Sequence, residues 1–256
     1  MLGGVLALVL VAAVVAVKMI FFPSVNDKYF QINPARLRQV PAGLVVVRPT
    51  HFPDSPQKSS PPGMMETSVK GAQWMVGRNV SLQQLIAMAY RYNPGRIALP
   101  VGAPKVNYDF LVTAPKDPEA RLQSAIRRKL GYTAQPETRD TPVLALKVEN
   151  PNSSGLKVST AANENQTVKN GRLYFTHTKL SVVTDGLEGI LKTPVVDKTD
   201  LTNFYDFSLI WDAKTAQQIQ NNTLDNETGR KILAEWGLGL EPDTASIEML
   251  VVKKAN

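Results

Sequence analysis

The triplet Tyr108-Asp109-Phe110 returns as Tyr205-Asp206-Phe207, and the residues around each copy follow one path. Gly77-Arg78 is matched by Gly171-Arg172, each ahead of an apolar helical pattern. Gly131 with Pro136 is matched by Gly237 with Pro242, and the run Val143–Val148 by Met249–Lys254. A duplicated unit constrains the fold more than any composition figure, because each copy must be a recurring supersecondary block. It speaks to architecture and not to chemistry.

Each copy reads as β-α-β-β-α-β-β. Ser81 with Gln84 three residues on forms a capping box that satisfies free backbone donors at a helix start. Leu82, Leu85, Ile86, Ala89 and Tyr90 then fall on one helical face. Tyr108, Phe110 and Val112 share one side of a strand by the two-residue period, so Asp109 points the other way. Asp117-Pro118 opens a second helix, Leu122, Ala125, Ile126 and Leu130 line it, and Gly131 suits its end. Two strands, Tyr132–Glu137 and Val143–Val148, are expected to close the unit around a turn. The second copy repeats this with Leu180, Val183, Leu187 and Leu191, then Phe207, Leu209 and Trp211, then a helix over Leu224–Trp236. The predicted fold is α+β: two tandem repeats with helices packed on antiparallel sheets, plus an N-terminal transmembrane helix.

That last element rests on residues 2–17, all apolar or Gly, and on Met19-Ile20-Phe21-Phe22 before Pro23. About 21 helical residues span roughly 31 Å, the hydrocarbon thickness of a bilayer. The segment reads as an uncleaved anchor, with a cleaved secretory signal and a buried core helix as its rivals. The organisation expected is an anchor over 1–23, a strand and Pro-rich tether over 24–70, repeats over 71–150 and 171–256, and a linker over 151–170.

Three stretches carry a family resemblance. They are Gly77-Arg78-Asn79-Val80-Ser81-Leu82, Glu137-Thr138-Arg139-Asp140-Thr141-Pro142-Val143, and Thr193-Pro194-Val195-Val196-Asp197-Lys198-Thr199 followed by Tyr205-Asp206-Phe207. Together they resemble a large soil-associated bacterial family classified only as a domain of unknown function. The resemblance covers residues 71–254. It implies a secreted or membrane-anchored extracytoplasmic domain and brings no reaction. Asp200 departs from it, standing where the family commonly has Gly.

Candidate chemistry is sparse. The chain has no Cys and two His, which excludes thiolate and His-rich metal sites. No phosphate loop, His-Glu-x-x-His helix or Gly-x-Ser-x-Gly elbow is present, so no catalytic, cofactor or metal residue is assigned. His177 with Asp185 is the nearest thing to an acid–base pair. Tyr108, Asp109, Phe110, Tyr205, Asp206 and Phe207 mark the repeat and read as structural, and Asp197 reads as a turn residue. Residues 71–150 carry a net charge of +5 and residues 171–256 a net of −3. Arg121, Arg127, Arg128 and Lys129 therefore form a candidate interaction surface for an anionic partner. Aromatics are not interleaved with these cations, which argues against nucleic acid. Three functions fit: a membrane-anchored, periplasmic module binding a protein, polymer or small ligand; a structural subunit of a cell-envelope complex; and a hydrolase with a site between the repeats.

Overall fold

Two tight turns set the frame. Lys70-Gly71 and Asn170-Gly171 each place two consecutive residues at positive φ, the geometry of a type I′ hairpin. The structure, a computed structural model, describes residues 25–52, 63–210, 212, 213, 215 and 226–255. The first turn joins β2 (Gly63–Val69) to β3 (Ala72–Val80), and the second joins β8 (Asn165–Lys169) to β9 (Arg172–Thr178). Each hairpin is completed by a Tyr-Asp-Phe strand, β5 (Tyr108–Val112) or β11 (Tyr205–Ile210), and by an outer strand, β1 (Val45–Pro49) or β7 (Leu156–Val158). The resulting antiparallel sheets have the same order, β1-β5-β3-β2 and β7-β11-β9-β8.

The helices are α1 (Pro34–Leu37), α2 (Leu82–Tyr90), α3 (Pro118–Leu130), α4 (Leu180–Leu191) and α5 (Asn226–Glu235). The capping box of α2 is closed on both sides, Gln84 N–H to Ser81 Oγ and Ser81 N–H to Gln84 Oε1. Gly131 ends α3 at φ +70°. A third sheet has the order β10-β6-β12-β4, with β4 (Ile97–Ala98), β6 (Tyr132–Val148), β10 (Val195–Asp197) and β12 (Leu238–Lys254). Ala255 N–H donates to Gly131 O at one end of the β6–β12 pair and Glu149 N–H to Gly237 O at the other. The two long strands are therefore antiparallel neighbours.

The chain divides into two compact units. The first comprises Met1–Tyr92, Ala98–Gln135 and Val251–Asn256, and the second Asn93–Ile97 and Pro136–Leu250. In the first, one face of the sheet is covered by the preceding segment: Phe30, Leu37 and Val40 pack on Trp74, Val76 and Leu111. The other face presents Phe110 and Val112, both fully buried, toward α2 and α3. In the second, Leu180, Leu187, Phe207, Leu209, Leu233 and Trp236 form the core.

The predicted repeat is corrected in three ways. Its true form is β-β-β-α-β-β-α-β, beginning at Val45 and Leu156: β1 is the strand expected within 24–70, while β2 comes from the stretch expected to be tether and β7 and β8 from the expected linker. The two closing strands of each copy are one 17-residue strand, and these leave their own sheets to form the third one, which is mixed because β10 pairs parallel with β6. Gly77 is not the partner of Gly171. Gly77 lies opposite Phe110 as Phe175 lies opposite Phe207, so register equates Gly77 with Phe175. The predicted N-terminal transmembrane helix finds no counterpart among the described residues. Among the described residues no helix is long and apolar enough to cross a membrane, and residues 1–23 lie outside them.

Candidate functional site

The recurring carboxylates hold a recurring distortion. Between Gly77 and Val80, and again between Phe175 and Thr178, the strand carries an extra residue opposite the Asp of Tyr-Asp-Phe. That bulge puts Asn79 at φ +53° and His177 at φ +52°. Such backbone costs about 1–2 kcal/mol for a residue with a Cβ. The carboxylate offsets it by accepting the freed N–H: Asn79 to Asp109 at 3.0 Å, His177 to Asp206 at 2.9 Å. A hydroxyl from the outer strand's end adds to each, Thr50 to Asp109 and Ser159 to Asp206. Tyr108 and Tyr205 are buried beside them, and burial raises the Tyr108 phenol above its ordinary value.

The two sites then diverge. Asp109, fully buried, also accepts from His51 N–H and from Arg48 Nε at 3.3 Å. The Arg48 guanidinium, 1 % exposed, is completed by Val25 O, by Asp27 and by the Phe30 ring 4.1 Å away. Burial pushes Asp27 up, but the bonds and charges of Arg48 and His51 outweigh it and hold the carboxyl below its usual value. Register places Lys157 across from Asp206 as Arg48 is across from Asp109. Lys157 is exposed, and no ion pair joins it to Asp206, which stays half-buried. The Ser159 hydroxyl and the His177 N–H hold Asp206 below the ordinary carboxylate value.

Sequence-selected groups are not drawn together elsewhere. His177 stacks its ring on Phe204 at 4.1 Å, leaving its buried Nδ1 without a hydrogen-bond partner, and no bond joins it to Asp185. Asp185 is exposed on α4, where its carbonyl accepts from the Asn93 side chain. Asp197 closes a turn by accepting from Thr199 N–H and Oγ1, and Asp200 adopts φ +58°, the conformation a Gly would take there. Arg121, Arg127 and Arg128 are exposed on α3 and Lys129 is half-buried. Helical geometry spreads these four over roughly 200° of the cylinder, with only Arg121 and Arg128 on one face. Arg91 is bound to Glu66 and Glu119, and Arg78 covers the Phe52 ring at 3.8 Å.

Two features escaped the sequence reading. Glu188, 1 % exposed on α4, is gripped by Arg96 Nε at 2.8 and 3.0 Å and also accepts Val195 N–H. That bond raises Arg96 further above its normal range. Gly95 makes the grip possible, since a Cβ there would sit 2.8 Å from Glu188 O. The other is a cavity of about 220 Å³ in the second unit, between β9 and β11 on one side and α4 and α5 on the other. Among the described residues its lining is apolar side chains and glycine, including Phe175, Ile190, Phe207, Ile232 and Trp236. Phe175 and Phe207 stack at 4.9 Å, and Trp236 tilts against Phe207 at 4.8 Å with its indole N–H on Ser208 O.

Equivalent positions carry different side chains in the two repeats. Counting from the first residue of each helix, Gly186 stands where α2 has Met88, and counting back from Gly237 and Gly131, Gly229 stands where α3 has Gln123. Gln123 spans to the neighbouring helix by donating to Ala89 O at 2.8 Å. A Cβ built on Gly186 meets nothing within 4 Å. The absent side chains were readable as two helical glycines, but only the corrected alignment gives them meaning.

Among the described residues no group of three or more His, Asp or Glu is placed to hold a metal ion. No curated protein and no solved structure matches the chain. Residues 83–255, more than half of its length, match one family, and the chain accordingly belongs to the family described as protein of unknown function, DUF3738.

Proposed function

We propose that the chain is an extracytoplasmic binding module whose ligand occupies the apolar cavity of the second unit. The observation that carries this reading is unequal filling: two equivalent positions hold Met88 and Gln123 in one repeat and Gly186 and Gly229 in the other. Glycine inside a helix costs about 0.5–1 kcal/mol relative to alanine, so two of them facing one space are a cost that a ligand site accounts for. The extracytoplasmic placement is supported by the apolar run over residues 2–17. A hydrolase needs an acid or base free to act, and the geometry of Asp206 and His177 lends that reading no support. The test is gentle extraction of the native protein, size-exclusion chromatography, and mass spectrometry of both proteins and solvent-extractable small molecules that travel with it. A small molecule at near-equal stoichiometry supports the module. A fixed set of partner proteins with no small molecule sinks it in favour of an envelope-complex subunit.

A further inference from the structure

The lining of the cavity limits what it accepts. Among the described residues no charged, hydroxyl or amide side chain contributes to it, so a polar atom of a ligand buried against them would lose its water without compensation. The inserted part is therefore hydrocarbon. Size limits it further: an apolar cavity of about 150 Å³ stays dry and takes a single benzene ring, and this one is about 220 Å³. The stacked Phe175–Phe207 pair and the tilted Trp236 offer faces and edges against which a flat ring packs well. Entry lies along α4, because Val182 and Gly186 line the cavity and are also exposed, whereas Leu187 beside them is buried.

Resting on the binding reading above, we propose that the cavity takes an uncharged hydrocarbon group, one aromatic ring or a chain of about six carbons, with any polar remainder of the ligand left outside beside Gly186. Gly186 and Gly229 set the admissible size, since the equivalent positions of the first repeat carry the longer Met88 and Gln123.

The full chain, kept in amphipol, is titrated with fluorobenzene and separately with 6-fluorohexan-1-ol and followed by fluorine NMR. Gly186→Met, which restores the first repeat's residue, is read in parallel and corrects for partition into the amphipol. Saturable binding of at least one probe is expected, weakened at least about tenfold in Gly186→Met and less in Gly229→Ala. The stronger probe tells a ring from an acyl-type chain. The thermal midpoint of Gly186→Met should equal or exceed that of the wild type, so a lost signal is not unfolding. Equal binding by wild type and Gly186→Met, or no saturable binding of either probe, overturns the proposal. A natural ligand that co-purifies equally with Gly186→Met leaves the module standing and removes it from this cavity; if neither ligand nor probe binds, both readings fall.

Discussion

The two halves of the duplication use one backbone plan to different ends. In the first repeat the sheet face bearing Asp109 is roofed by residues 25–40, and the side chains beneath are apolar or fully paired. In the second the corresponding face carries Arg172, Tyr174, Ser208 and Ile210, and Tyr174 and Ile210 remain substantially exposed. On the helix side Met88 and Gln123 stand in the first repeat where Gly186 and Gly229 line the second repeat's cavity, and Gln123 bridges to Ala89 O. An antiparallel sheet can have one solvated face, so a repeat that loses its cover needs only polar replacements there. Duplication thus leaves one copy to supply bulk and frees the other to carry an opening.

The largest expected effect tests the covered side. Arg48→Ala strips a buried carboxylate of its partner and should cost about 3–5 kcal/mol in urea unfolding, whereas Lys157→Ala should change stability by less than about 0.5 kcal/mol. Similar costs for both would erase the distinction between the faces. Next comes Met88→Gly, which copies the second repeat's opening into the first and should lose about 2–3 kcal/mol through a cavity plus a helical glycine. A near-neutral result would mean that the first repeat is not filled at that place.

A subtler difference lies in acid. Asp206 titrates below its unfolded value, so its contribution is fully present above about pH 4 and is lost as pH falls through the lower folded value. Asp206→Asn should therefore flatten the acid limb of a stability–pH curve by lowering its neutral plateau, with little change at the acid end. An unaltered acid limb would show the carboxylate bond to be energetically idle. Smallest of all, His177→Gly relaxes a positive-φ position while keeping the N–H that Asp206 accepts. It should be neutral or stabilising by up to about 1 kcal/mol. Marked destabilisation would mean that the His177–Phe204 stack outweighs the backbone strain.

Local signals were legible where one element decides its own geometry. The Ser81–Gln84 box, the Pro118 start and the Gly131 end of α3 all stand where residue chemistry placed them. The recurrence of Asp109 and Asp206 was visible, but its cause, a bulge on the neighbouring strand, is a tertiary fact. Strand β8 was missed because Asn165–Lys169 is exposed along its whole length and so carries no alternation. The long strands were missed because the stretches ending at Pro142 and beginning at Pro242 read as turns. Leu144 N–H donates to Pro194 O, so the even-numbered residues of β6 there face the β10 side. Pro136 and Pro142 therefore turn their missing N–H to the outer edge, where β10 reaches only Leu144–Leu146. The cavity was hidden for another reason: an alignment by Gly-Arg pairs never sets Gly186 beside Met88.

The third sheet also bears on how the chain comes into being. Its central strand β6 is made well before its partner β12. Until β12 leaves the ribosome, β6 has a bare edge, and pairing over so long a separation forms slowly. Nascent chains should therefore engage holdase chaperones or a translocation channel through this strand. A stop codon placed anywhere before Leu238 should yield an aggregating product rather than a shorter working protein.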